Sequence, residues 1–453
     1  MSHHPTRKLT VFALDPSVKS RGKILRTQIE ILNEYLGAGP RGHRVFVVDY
    51  DSSTDRFRTP AQLPKPVEGQ PPEDPFASLS DRELLASPDF HAFMCFAIVM
   101  KTLARFEFAL GRRLSWSFPS HQLQVAPHAF SDANAFYSDS ANGLFFGYFP
   151  SKDGKRIVHT CLSHEIVAHE TTHALLDGLR ERYTDASSAQ QAGFHEGFAD
   201  IVALLSILSA QSIVEKVVDL GLPGAADGTL RRASVTVDAL KMSGLFGLAQ
   251  EMGSELAGVH GNALRRSVGL PPNKDYLTSA DCDEPHRCGE VLVAAVLNAY
   301  LGIWVKRLQA LGDESRLDRS RAAEEGAQLA EHLLNVCIRA IDYCPPQTSS
   351  SVISPVRCLL LTPSSIRAMP ATSCAPACWP RRISSKTRRN SSRKPHKKKR
   401  TSVIASRPAT SARWVRPKPP LCSKPRPGPT QKPHTKKSCS SGPSPVFRFT
   451  AWR

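Results

Sequence analysis

The sequence predicts an α+β protein: a mixed N-terminal lobe built on a β-sheet, then a mainly α-helical lobe, then a disordered C-terminal tail. Three observations lead there. Short apolar runs of strand length, separated by polar turns, fill much of the first 150 residues. Beyond residue 160 the apolar residues recur at helical spacing. After residue 345 that periodicity stops, and Ser, Pro, Arg and Lys take over. The 453 residues therefore divide into 1–150, 151–345 and 346–453.

Each element has its own signal. Residues 8–14 and 44–50 are strands by their alternating or continuous apolar character, whereas 24–36 fits strand or helix. The proline-rich run 59–76 is a linker or extended loop. Over 87–111, Phe93, Ile98, Leu103, Phe106, Phe108 and Leu110 stand at helical spacing and predict a core helix backing the sheet. Strands around 122–150 complete this lobe. Helices are then expected over 161–177, 190–210, 236–257, 290–310 and 320–342, the last with Leu329, Leu333, Val336 and Cys337 turned to the core. Gly178 would stop the first of them. There is no internal repeat.

The net charge of +18 suggests nucleic-acid binding until it is located. Residues 346–453 hold 24 Lys and Arg and no acid, leaving 35 basic against 41 acidic residues in the body, a net charge of −6. Nucleic acid is thus not an expected partner, except non-specifically through the tail. The tail is either a natural basic arm that binds polyanions or an out-of-frame reading of GC-rich DNA beginning near residue 346. The second is favoured: such readings are rich in Arg, Pro, Ser, Ala and Cys, and 108 residues pass without an acid.

Five of the 11 cysteines fall in the tail, in no metal or disulfide pattern. The other six are scattered, which suits free thiols in a reducing cytoplasm. The N-terminus lacks the apolar run of a secretory signal, and no stretch of 18 uncharged apolar residues reads as a membrane span. A cytoplasmic protein with no membrane partner is the expectation.

The chemistry is concentrated in His169-Glu170-Thr171-Thr172-His173. Residues four apart on a helix are separated by only about 40° around the axis, so both imidazoles leave one face. Two neutral imidazoles at that spacing can hold one Zn²⁺, with the intervening Glu170 beside the open coordination position as a general base. Downstream, Glu196 and Asp200 are again four apart on a predicted helix. A catalytic zinc takes three protein ligands and leaves the fourth position to water, and a carboxylate one turn beyond the third ligand can fix an imidazole's tautomer. Pairs of surface histidines and solvated acidic faces are the plain alternatives, the first weakened by the ExxxD that follows and the second by the apolar residues that interleave with the acids.

HETTH followed by ExxxD resembles the thermolysin-like, or gluzincin, zinc metallopeptidases, and the body as a whole is similar to a bacterial branch of that family without a secretion signal. The resemblance spans roughly 125–310. It implies a zincin-like fold with the metal in the cleft between the two lobes, and a peptide or protein substrate. His169, His173 and Glu196 would be zinc ligands, Glu170 the base, and Asp200 the partner of His169. Asn134–Tyr137 followed by Gly143–Tyr148 resembles the strand that pairs with the substrate backbone. For the oxyanion the family uses a histidine, usually with a tyrosine. His286, opening an apolar helix, is favoured over His260; Tyr183 is a weak candidate for the phenol.

His164 and His195 read as bystanders, His164 lying about 140° around the helix from His169. Asp177 fits either a surface acid or a support for the site. No EF-hand loop is present, so no calcium site is expected. Rival functions are a non-catalytic metal-binding or interaction protein that keeps the ligands, and polyanion binding through the tail.

Overall fold

The computed structural model describes residues 6–64, 72–180, 189–222, 228–245, 267, 269–270, 285–311 and 316–344. His260, Tyr183, the far end of the helix expected over 236–257, and the whole of 346–453 lie outside them. The described chain is α+β, and its elements follow from local chemistry.

β1 (Thr6–Phe12) pairs antiparallel with β4 (Arg26–Leu32), Leu9 opposite Ile29. The segment that fitted either strand or helix is therefore a strand. In Gln28-Ile29-Glu30-Ile31 only the two isoleucines are buried, the period-two pattern of a half-covered sheet. Between them β2 (Lys19–Ser20) and β3 (Lys23–Ile24) form a hairpin whose turn, Arg21-Gly22, takes positive φ at both positions. Next come β5 (Val45–Val47), β6 (Tyr50–Asp51) and β7 (Arg56–Phe57).

α1 (Asp81–Ala86) opens with a Ser80/Glu83 capping box. α2 (Pro88–Leu110) begins at the Ser87 cap with Pro88 in its first turn and ends at Gly111 in the left-handed region. Phe90, Phe93, Phe96 and Phe106 on α2 are fully buried, each contributing about 1.5–3 kcal/mol by burial. Phe108 departs from the core role predicted for it and is 70% exposed. Two residues past Phe106 is about 200° around the helix, the opposite face. α2 packs on β1 and β4 and also on helices of the second half, so both halves share it.

The main sheet runs β11 (Ile157–His159), β10 (Gly143–Pro150), β8 (Leu123–Phe130), β5, with β9 (Ala135–Ser138) also on β10. β8 lies parallel to both β5 and β10. β9 and β11 pair antiparallel with successive parts of β10. Among the described residues the α-helices that follow are α3 (His164–Leu179), α4 (Ala189–Leu208), α5 (Gln211–Gly221), α6 (Pro285–Ala310) and α7 (Arg319–Ala340). A short pair, β12 (Thr229–Arg231) with β13 (Arg316–Asp318), precedes α7.

Gly178 is not the stop that was expected. α3 continues to Leu179, and a Cβ at Gly178 would lie 2.2 Å from the Ser115 carbonyl oxygen, so the glycine admits a crossing backbone. By length and composition α6 could cross a membrane, and 67% of its most apolar window is buried inside the fold. Cys95, Cys161 and Cys337 are free and buried, as expected. Cys288 departs from the free-thiol expectation: it is disulfide-bonded. Pairing of that kind depends on which segments meet in space, which spacing along the chain does not carry.

Candidate metal centre

α3 and α4 pack against each other and bring the two predicted pairs face to face. His169 Nε2 and His173 Nε2 lie 2.9 Å apart, and Glu196 Oε2 is 3.3 Å from the first and 3.5 Å from the second. Zinc at about 2.0–2.2 Å from nitrogen and oxygen in a tetrahedron sets ligand-to-ligand edges of about 3.3–3.6 Å. Two of the three edges match, and the third opens by about half an ångström to do so. The donor set fits a divalent ion.

The surroundings orient these atoms. Asp200 Oδ1 accepts a hydrogen bond from His169 Nδ1 at 2.9 Å, which fixes the ring with Nε2 turned towards His173 and Glu196. Burial opposes a positive charge on His169, but Asp200 and Glu196 raise its pKa well above the ordinary value. The same carboxylates favour a cation between the ligands. Burial likewise opposes ionisation of Glu196, yet the neighbouring His173 and His169 hold its carboxyl well below the usual range.

Glu170 is 2% exposed, and a carboxylate oxygen of it lies within 4.8 Å of a ring nitrogen of both histidines. His286, in the first turn of α6, places Nδ1 3.5 Å from Glu196 Oε2 while its side chain stays 46% exposed. That half-open position suits a group that meets something arriving from solvent. Its placement depends on glycine: a Cβ at Gly197 would lie 2.7 Å from the Gly289 carbonyl oxygen, and one at Gly193 2.6 Å from Cys288 Cβ. α4 and α6 approach so closely only because three glycines meet.

His195 is no bystander. Its ring stacks on His173 at 4.6 Å and 7°, with the two Nδ1 atoms 2.6 Å apart. Burial and His173 press its pKa down to about 3, so the ring is neutral and one Nδ1 gives the proton that the other accepts. Sequence pattern missed it because His195 sits one residue before Glu196, about 100° around the helix. Only the angle at which α4 crosses α3 turns both side chains towards His173.

His164 remains apart from this group, buried with its pKa pressed down to about 3 by burial and Arg105. Asp177 accepts from Tyr137 Oη at 2.8 Å, which ties β9 to the end of α3. Burial raises the Tyr137 phenol well above its ordinary pKa, so it stays a donor. β9 pairs only with β10 among the described strands, leaving its other edge unpaired there, and it lies against α3. No family model matches the chain, and comparison with curated proteins finds no match either.

Proposed function

We propose that this chain is a zinc-dependent peptidase of the thermolysin-like kind, with the metal between an α+β lobe and a helical lobe. The observation that carries the reading is the His169, His173 and Glu196 triangle with Glu170 beside it. Zinc, when bound there, lowers the pKa of a water towards 7 and polarises a carbonyl.

The chain's own residues do the rest. Asp200 and His195 hold the two imidazoles in register with Glu196. Glu170 takes the proton of the attacking water and passes it to the leaving amine. His286 donates to the carbonyl oxygen as its charge grows, from a helix end open to solvent. The unpaired edge of β9 accepts an extended peptide as a further strand.

Glu170→Gln tests this. Bound zinc measured by elemental analysis should be unchanged, while cleavage of a peptide library falls by about two to four orders of magnitude. A variant that cleaves as fast as the parent would overturn the reading. Wild-type protein that carries stoichiometric zinc but shows no chelator-sensitive cleavage would favour a non-catalytic metal-binding protein.

A further inference from the structure

A second group of three histidines shares no residue with the first. His91 lies in the first turns of α2, His128 in β8, and His159 ends β11; one ligand-capable nitrogen from each lies within 4.8 Å of the others. His91 and His128 are 3% and 1% exposed, and the three ring centroids are 4.9–5.1 Å apart.

The hydrogen bonds around the cluster decide where its protons are. His91 Nε2 lies 3.1 Å from the Leu85 carbonyl oxygen, which only accepts, so Nε2 carries the hydrogen. His128 Nδ1 lies 3.0 and 2.9 Å from the two Asp49 carboxylate oxygens, so there Nδ1 carries it. A neutral imidazole has one hydrogen. The remaining nitrogens, His91 Nδ1 and His128 Nε2, therefore face each other as bare lone pairs at 2.8 Å. Two lone pairs at that distance repel unless something positive lies between them. In addition, Nδ1 of His159 is buried with no hydrogen-bond partner among the described residues.

We propose that His91, His128 and His159 form a second divalent-metal site, of the imidazole-preferring class that includes Zn²⁺, Co²⁺ and Ni²⁺. Asp49 and the Leu85 carbonyl hold two of the rings from behind, the arrangement that orients metal-ligating histidines and sharpens their lone pairs. The alternative positive charge is a shared proton. That proton would sit on His128, paired with Asp49, and the metal count below decides between it and an ion.

Access exists. An open cavity includes Arg58 and Tyr148 in its lining; Arg58 lies 3.8 Å from Asp49, and the Tyr148 ring 6.0 Å from that of His159. An ion here would join α2, β8 and β11 just ahead of α3, so its role is to brace the sheet beneath the helix that carries His169.

The test is a metal count on the full chain, stripped with chelator and titrated with Co²⁺ and Zn²⁺, with folding checked by circular dichroism. The wild type should take two equivalents, and the double variant His169→Ala/His173→Ala one. His159→Gln should also take one, and Asp49→Asn should weaken that site about ten- to a hundredfold. A double variant that binds no metal, or His159→Gln and Asp49→Asn chains that bind as the wild type does, would overturn the proposal. It does not rest on the peptidase reading. One equivalent lost only on His159→Gln would support this site and sink the other.

Discussion

At the scale of single residues, the arrangement around His169 and His173 separates side chains that would touch the metal from those that aim the ligands. Asp200→Asn keeps the shape but removes the charge behind His169 Nδ1. It should weaken zinc binding about 10–100-fold, read by competition with a chromophoric chelator. His195→Phe keeps a ring stacked on His173 but removes the Nδ1 contact, and a loss of similar size is expected. A variant that binds zinc as tightly as its parent would reduce His195 to packing. The pairs His169/His173 and Glu196/Asp200 were legible in the sequence because each is spaced by one helical turn, with Glu170 between the histidines, and that spacing survives into three dimensions unaltered. His195 was not, since its contact depends on how two helices cross.

At the scale of elements, glycine sets how closely α4 and α6 approach, and hence where His286 sits against Glu196. Gly197→Ala drives a Cβ into the Gly289 backbone and should destabilise the protein by about 1–3 kcal/mol in urea unfolding. Gly302 on α6 is the internal control. Among the described residues an added Cβ there meets nothing within 4 Å, so Gly302→Ala should stabilise the helix by about 0.5–1 kcal/mol. Equal effects of the two changes would show that helix propensity, and not close approach, governs this crossing. The same logic explains Gly178, which looked like a helix end but admits the Ser115 carbonyl to the flank of α3. Helices and strands were largely readable from apolar period. Whether a glycine ends an element or lets another backbone pass is a fact about its neighbour.

At the scale of the whole molecule, buried titratable groups govern the response to pH. His164 is outside both histidine groups and takes a proton near pH 3 in the folded chain, against about 6.5 when unfolded. Between those values the unfolded state binds more protons, so its contribution is full above about pH 6.5 and is lost as pH falls towards 3. The slope reaches about 1.4 kcal/mol per pH unit. His164→Gln should flatten the fall of stability over this window when denaturant midpoints are followed against pH. An unchanged profile would place the acid sensitivity elsewhere. Metal binding should also appear globally. Added Zn²⁺ should raise the melting temperature progressively with concentration, because it binds only where the fold assembles the ligands.

Spacing along the chain was enough to establish the mixed class, the run of helices after residue 160, and a helix that presents two imidazoles on one side, because these depend on the period of a single element. It could not reveal His91, His128 and His159. They stand on a helix and two strands, 37 and 31 residues apart, and no local period relates them. Their meeting, the stacking of His195, and the position of His286 over Glu196 were decided by packing, which alone brings distant elements within a few ångströms of one another.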